Sequence, residues 1–273
     1  MSTKKTPSKD EELNAAKLAP EDNTAVAIDS NSSKTAKKTK STKDKKVKVE
    51  IEPNLKVLFC ASEVSPFAAS GGLADVAGSL PIALNEKGCD VRVILPLYEK
   101  VNQQWRDKMV FLSYFFVPLG WRSLYCGLFK LEDRGVIYYF IDNEYYFKRS
   151  SLYGHYDDGE RFAFFQRAVL DMIYFINWWP NVIHSNDWQT GMIPLICHAC
   201  YADDQRYQQI KHVYTIHNLA FQGNFGVDML PSCLGLKLQF AEMLLQVEFR
   251  KRNFLSIFKS FRFGLDLGSF LGF

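Results

Sequence analysis

Residues 55–98 read LKVLFCASEVSPFAASGGLADVAGSLPIALNEKGCDVRVILPLY. The first part, LKVLFCASE (55–63), is an apolar run of strand length, too unbroken for a strand with one wet face. A strand apolar on both faces belongs in the middle of a parallel sheet. After the adjacent Gly71 and Gly72, LADVAGSLPIALNEKG carries apolar residues at helical spacing and stops at Gly88, a suitable C-terminal cap. DVRVILPLY (90–98) supplies a second strand. Strand, glycine turn, helix and strand make one βαβ unit. Adjacent glycines are costly inside an element because each loses much backbone freedom on folding. They belong where the chain turns sharply or lets something come close.

Downstream the rhythm changes. VFLSYFFVPLGW, SLYCGLFKLE and VIYYFID read as strands, the last two joined by a hairpin turn at Asp133-Arg134-Gly135. ERFAFFQRAVLDMIYFINWW predicts a long helix from Glu160 to Trp179. NVIHSND then reads as a strand, WQTGMIPLICHACY as a helix and HVYTIHN (212–218) as another strand. This alternation predicts the α/β class, an open, mostly parallel sheet with helices on both faces. No repeat of fixed period is present. Ligands in such sheets bind at the carboxyl ends of the strands. Those ends are Ser65 to Gly72, His184 to Asp187, and His217-Asn218, and polar residues gather at all three.

Upstream, the first 55 residues carry twelve lysines and nine acids but no aromatic residue and no arginine. The whole net charge of +3 sits there, leaving the rest neutral. A folded part without a basic footprint argues against a nucleic-acid binder, and the leader reads as a solvated, disordered segment over 1–54. It has no apolar run for a secretory signal, and its acids and missing arginines do not suit an organelle transit peptide. No stretch of about 18 apolar residues is available to span a membrane. Of six cysteines only Cys197 and Cys200 lie close, as ICHAC. One such pair is a weak zinc signal, since a structural site wants four ligands. In an apolar helix it reads more simply as two small hydrophobes. Reduced thiols and no signal segment suit a cytoplasmic protein.

The candidate residues each have a plain structural alternative. Gly71-Gly72 at a helix start can present N–H groups to a phosphate or form a tight turn with no ligand. The pair is not a GxGxxG fingerprint, which disfavours a nicotinamide dehydrogenase. Asp75 suits the helix dipole wherever it sits in the first turn. His184 and His217 end apolar strands, as core or loop histidines also do, and Asp187 is placed to cap the helix that follows.

The segments KVLFCASEVSPFAASGGLADVAGSLPIAL, LYGHYDDGERFAFFQRAVL, VIHSNDWQTGMIPL and YTIHNLAFQGNF, in this order over about residues 55–226, resemble the N-terminal half of bacterial glycogen synthases and plant starch synthases. That family transfers glucose from ADP-glucose to an α-1,4-glucan with retention. The resemblance implies the first of two Rossmann-like domains of a GT-B glycosyltransferase fold. It needs no metal or other cofactor, and its partners are ADP-glucose and an α-1,4-glucan, with no nucleic acid or membrane.

Residue by residue, the resemblance sets Ser70, Gly71, Gly72 and Leu73 on the family's K-T/S-G-G-L loop, with Gly71-Gly72 against the donor. Asp75 would face the glucan cleft, and Tyr153 would stand near the donor sugar. Asp187 matches an acid needed for activity. His217 matches the histidine lining the donor glucose, with Asn218 beside it; imidazole there would steady oxocarbenium-like charge.

Two departures stand out. Ala69 replaces the family's lysine, and 227–273 departs from the family pattern. Eight of the 22 phenylalanines fall in 240–273, which reads as a shifted frame or, alternatively, an amphipathic helix packed on the domain. The expected division is a leader (1–54), an N-terminal catalytic domain (55–226) and a divergent tail (227–273), with the second domain absent. A non-catalytic glucan-binding or interaction module is the alternative function.

Overall fold

The computed structural model describes residues 54–239. In chain order the elements are β1 (Lys56–Cys60), α1 (Gly72–Asn85), β2 (Asp90–Pro96), α2 (Gln103–Arg106), β3 (Val110–Leu119), β4 (Arg122–Asp133), β5 (Val136–Asp142) and α3 (Glu144–Phe147). They continue with α4 (Asp158–Ile176), β6 (Val182–Asn186), a 3-10 turn (Trp188–Thr190), α5 (Ile193–Cys200), α6 (Gln205–Gln208), β7 (Lys211–Thr215) and α7 (Met229–Ser232). The seven strands form one sheet in the order β3-β4-β5-β2-β1-β6-β7. The five from β5 to β7 run parallel, and β3 and β4 add an antiparallel border. The unbroken apolar run marks the strand expected at the centre: β1 lies between β2 and β6, and Val57, Leu58, Phe59 and Cys60 are all buried.

Side-chain alternation along paired strands sorts residues into two faces. Phe115 of β3 stacks on Phe175 of α4 at 4.5 Å, so Cys126, Leu128 and Ile141, linked to it by register and alternation, share the α4 face. The opposite face carries Tyr138 and Phe140, which meet Phe67 edge-on at 4.8 and 5.2 Å. The segment after β1 thus folds back over the sheet it has just left.

Several boundaries differ from the sequence expectation, each for a local reason. The long helix ends at Ile176, because Asn177 adopts a left-handed cap at φ 47° and throws Trp178 and Trp179 off the axis. Trp178 then donates to Asp90 at 2.7 Å and lies beneath the Arg92 guanidinium. The helix expected over WQTGMIPLICHACY is broken: a 3-10 turn covers 188–190 and α5 starts only at Ile193, with Pro194 in its first turn. Proline is suited to that place because its missing N–H has no intrahelical partner there. Strand β1 stops at Cys60 and β7 at Thr215, which frees Ser62, Glu63 and His217 for the loops.

All six cysteines are free thiols; Cys200 is exposed and the other five are buried. Among the described residues, no group of His, Cys, Asp or Glu is placed to hold a metal ion, and no helix is long and apolar enough to cross a membrane. Residues 1–53 of the leader and the stretch 240–273 lie outside the described residues.

Candidate functional site

The chain runs from β1 through β2 to the β3–β4–β5 side of the sheet, then returns to place β6 on the other side of β1. Strand order therefore reverses at β1, and the loops leaving β1 and β6 part there to open a crevice. Asn186, fully buried at the end of β6, ties the two strand ends together by donating from Nδ2 to the Cys60 carbonyl at 3.1 Å.

On the β1 side the organising group is Glu63. Its buried carboxylate accepts from the Ser70 N–H at 2.5 Å, the Gly71 N–H at 3.1 Å and the Ser70 hydroxyl at 3.1 Å. The Tyr153 hydroxyl, arriving from the loop before α4, donates to the same carboxylate at 3.0 Å and accepts from Ser62 Oγ at 2.7 Å. Burial, followed by the charges of Tyr98 and Glu63, holds the Tyr153 phenol far above its ordinary range, so it stays a donor. Four donors on one buried carboxylate fix the glycine turn and Tyr153 relative to each other, because an unpaired charge there would be costly.

The turn itself shows why glycine stands there. Gly71 caps α1 in extended backbone open to any residue, and a Cβ at Gly71 or Gly72 would meet nothing within 4 Å. Neither backbone strain nor packing inside the protein demands glycine. The outer side of the turn is open, with the first N–H groups of α1 beside it.

On the β6 side, Asp187 sits at φ 55° and ψ 178°, a region nearly reserved for glycine. It is held there from both ends. Its N–H donates to the Thr215 carbonyl at 2.9 Å, and its carboxylate accepts from the His217 N–H at 2.7 Å and from the Asn218 backbone. Burial raises the Asp187 acid, these hydrogen bonds and the nearby His217 oppose the rise, and the Glu63 charge adds to it.

The His217 ring bonds through Nε2 to Asn186 Oδ1 at 2.9 Å. Asn186 spends its NH2 on Cys60 and His184 carbonyls, so its oxygen must accept and His217 Nε2 must donate. In the neutral imidazole this leaves the lone pair on Nδ1.

The structure thus gathers Ser70, Gly71 and Tyr153 around Glu63, and His217 and Asn218 around Asp187. Asp187 does not cap the next turn with its side chain; it pins the neighbouring strand's loop instead. Asn218 spends its side chain accepting from Ala220 N–H at 2.9 Å. Asp75 stands exposed in the first turn of α1, outside both networks. Ala69 is exposed beside Ser70. His184 is a packed residue: its ring meets Phe59 at 4.8 Å and Thr215 Oγ1 at 2.8 Å, and burial, aided by the His217 charge, lowers its pKa to about 4. Sequence reading passed over Glu63 and Asn186. Their signal was polar residues directly after an apolar run, Ser62-Glu63 past β1 and His184-Ser185-Asn186 at the end of β6.

An open α/β sheet with a glycine turn and a buried polar crevice at its switch point defines a Rossmann-like domain of the kind that forms the N-terminal half of a GT-B glycosyltransferase. The sequence profile of the starch synthase catalytic domain family matches residues 56–258, and the chain belongs to that family. A glycogen synthase of Clostridium botulinum (strain Eklund 17B / Type B) is 57% identical over 182 residues, which cover 66% of this chain and 38% of the relative. One from Geobacillus stearothermophilus is 54% identical over 182 residues, covering 67% and 38%. Among solved structures, the catalytic domain of starch synthase IV from Arabidopsis thaliana, bound to ADP and acarbose, aligns with a TM-score of 0.62 at 30% identity, over 68% of this chain and 38% of that one. The chain therefore spans under two fifths of the length of these relatives.

Proposed function

We propose that this chain supplies the N-terminal wall of a retaining glucosyltransferase, a glycogen or starch synthase that moves glucose from ADP-glucose to the non-reducing end of an α-1,4-glucan in the cytoplasm. The observation that carries the reading is a pair of polar networks flanking the switch point: the Glu63-held turn at Gly71-Gly72 after β1, and the Asp187–His217 pair at the ends of β6 and β7. A bared turn at a helix start suits a sugar diphosphate, which backbone N–H groups and the helix dipole both favour. The neighbouring imidazole, fixed in orientation by Asn186, is a preorganised dipole for charge developing on the glucosyl carbon.

In this reading Ser70, Gly71, Gly72 and Tyr153 take the donor, Asp75 faces the glucan, His217 with Asn218 lines the transferred glucose, and Asp187 positions His217. Names of relatives from several bacteria, all glycogen synthases, support it over a non-catalytic glucan-binding module.

Transfer needs two substrates held in one geometry, and a single wall does not supply it. The 273-residue chain alone is expected to incorporate no glucose from labelled ADP-glucose into glycogen. Joining residues 1–226 to the C-terminal part of the Clostridium botulinum relative is expected to restore incorporation, and His217→Ala in that chimera to lower it at least a hundredfold. Steady incorporation by the chain alone overturns the one-wall reading. A folded chimera indifferent to His217→Ala overturns the site.

A further inference from the structure

Away from the crevice, β3 and β4 turn a surface of rings outward. Tyr114, Phe116 and Tyr125 share the face of Tyr138 and Phe140 but lie beyond the cover of Phe67, and they are 57%, 58% and 43% exposed. The Tyr114 and Tyr125 rings stack 6.0 Å apart at 23°, and Phe116 stands edge-on to Tyr114 at 6.2 Å.

A missing side chain makes this arrangement possible. Gly127 lies opposite Tyr114 and two residues beyond Tyr125. A Cβ there would stand 2.8 Å from the Tyr125 hydroxyl and 3.1 Å from Asp142 Oδ2. Glycine weakens a strand interior and commonly marks a close approach. Here it lets Tyr125 lie down along its own strand beside Tyr114, with the Asp142 carboxylate near the hydroxyl end. The result is a two-ring platform, a third ring standing up from it and a carboxylate at its border.

We infer that this platform is a second binding face for a neutral α-glucan chain, separate from the crevice. The inference rests on the reading of the chain as a glucan-handling protein. The rings alone are small for a protein partner: three of them half-exposed, at about 200 Å² each when whole, offer roughly 300 Å². A stable interface buries ~800 Å² per partner and would have to take in Val110 and Trp121 of the same hairpin, 60% and 90% exposed. Strand addition along β3 is obstructed by the bulge between Phe111 and Ser113 and by Pro118, which has no N–H to give. A polyanion would meet the Asp142 carboxylate. A pyranose suits all three features, because its C–H faces lie on flat rings while its rim hydroxyls donate to a carboxylate and pair with tyrosine hydroxyls.

Affinity electrophoresis of the 273-residue chain through gels containing glycogen tests this. The chain is expected to be retarded, and Tyr114→Ser and Phe116→Ser, at exposed positions that leave the fold intact, to weaken the retardation at least fivefold while His217→Ala keeps most of it. Circular dichroism melts of each variant verify folding. The proposal is overturned if the unaltered chain is not retarded, if the two platform variants migrate like it, or if sedimentation shows a dimer that Tyr114→Ser dissociates. Retardation lost only in His217→Ala removes the platform and leaves the transferase reading standing. A folded but inactive chimera, with platform-dependent retardation intact, removes the transferase reading instead.

Discussion

At Asp187 a strained backbone and a hydrogen-bonded carboxylate occupy one residue, and the two effects are separable by substitution. Asp187→Ala keeps the strain and loses the pin on His217; Asp187→Gly loses the pin but relieves the strain. Backbone in this glycine-reserved region costs any other residue roughly 1–3 kcal/mol. Urea unfolding is therefore expected to find the alanine variant less stable than the glycine variant by about 1 kcal/mol, and both below the parent. Equal stabilities would mean that φ 55° is not strained here. Ala69→Lys tests the departure from the family's loop beside Ser70. A charged contact to phosphate contributes roughly 1.5–3 kcal/mol, so in the chimera ADP-glucose should bind ten- to hundredfold tighter by calorimetric titration. At this scale the sequence offered the turn, the histidine and the acid as candidates, since each comes after an apolar run of strand length, and the family resemblance supplied their expected roles. It could not expose Glu63 as their organiser, because hydrogen bonds between Glu63, Ser70 and Tyr153 are a product of the loops' path and leave no periodic trace.

Among elements, α4 is the least replaceable. It carries Arg161, fully buried, which donates to the Leu152 carbonyl at 3.1 Å and the Asp158 carboxylate at 2.8 Å and lies against Phe147 and Phe162. Removing one partner of a buried pair typically costs about 3–5 kcal/mol. Arg161→Ala should fall in that range by urea denaturation, and a loss under 1 kcal/mol would show that the guanidinium is solvated in solution. The order and type of the principal strands and helices were readable because each apolar run has strand or helix length and is bounded by turn residues. Their ends were not, since Asn177 and Pro194 act through backbone geometry that hydrophobic periodicity does not report.

The molecule as a whole should lose stability in mild acid. His184 and His212 both have folded pKa values lowered to about 4, from burial first, against an ordinary value near 6.5. Between those limits the unfolded chain binds more protons, so stability rises with pH and falls as pH drops from 6.5 toward 4. Burial raises the Asp142, Asp171 and Asp187 acids, and these work in the opposite direction. Comparing His212→Asn with the parent isolates the histidine part. The variant should lose less stability between pH 7 and pH 5, by about 1 kcal/mol or more, and parallel losses would refute the assignment. The cysteines allow the same opening to be followed chemically. With five thiols sealed in and only Cys200 at the surface, a maleimide should modify the native chain once within minutes. The remaining five should react only as fast as the domain breathes, so that mass spectrometry of the labelled chain becomes a clock for its local unfolding.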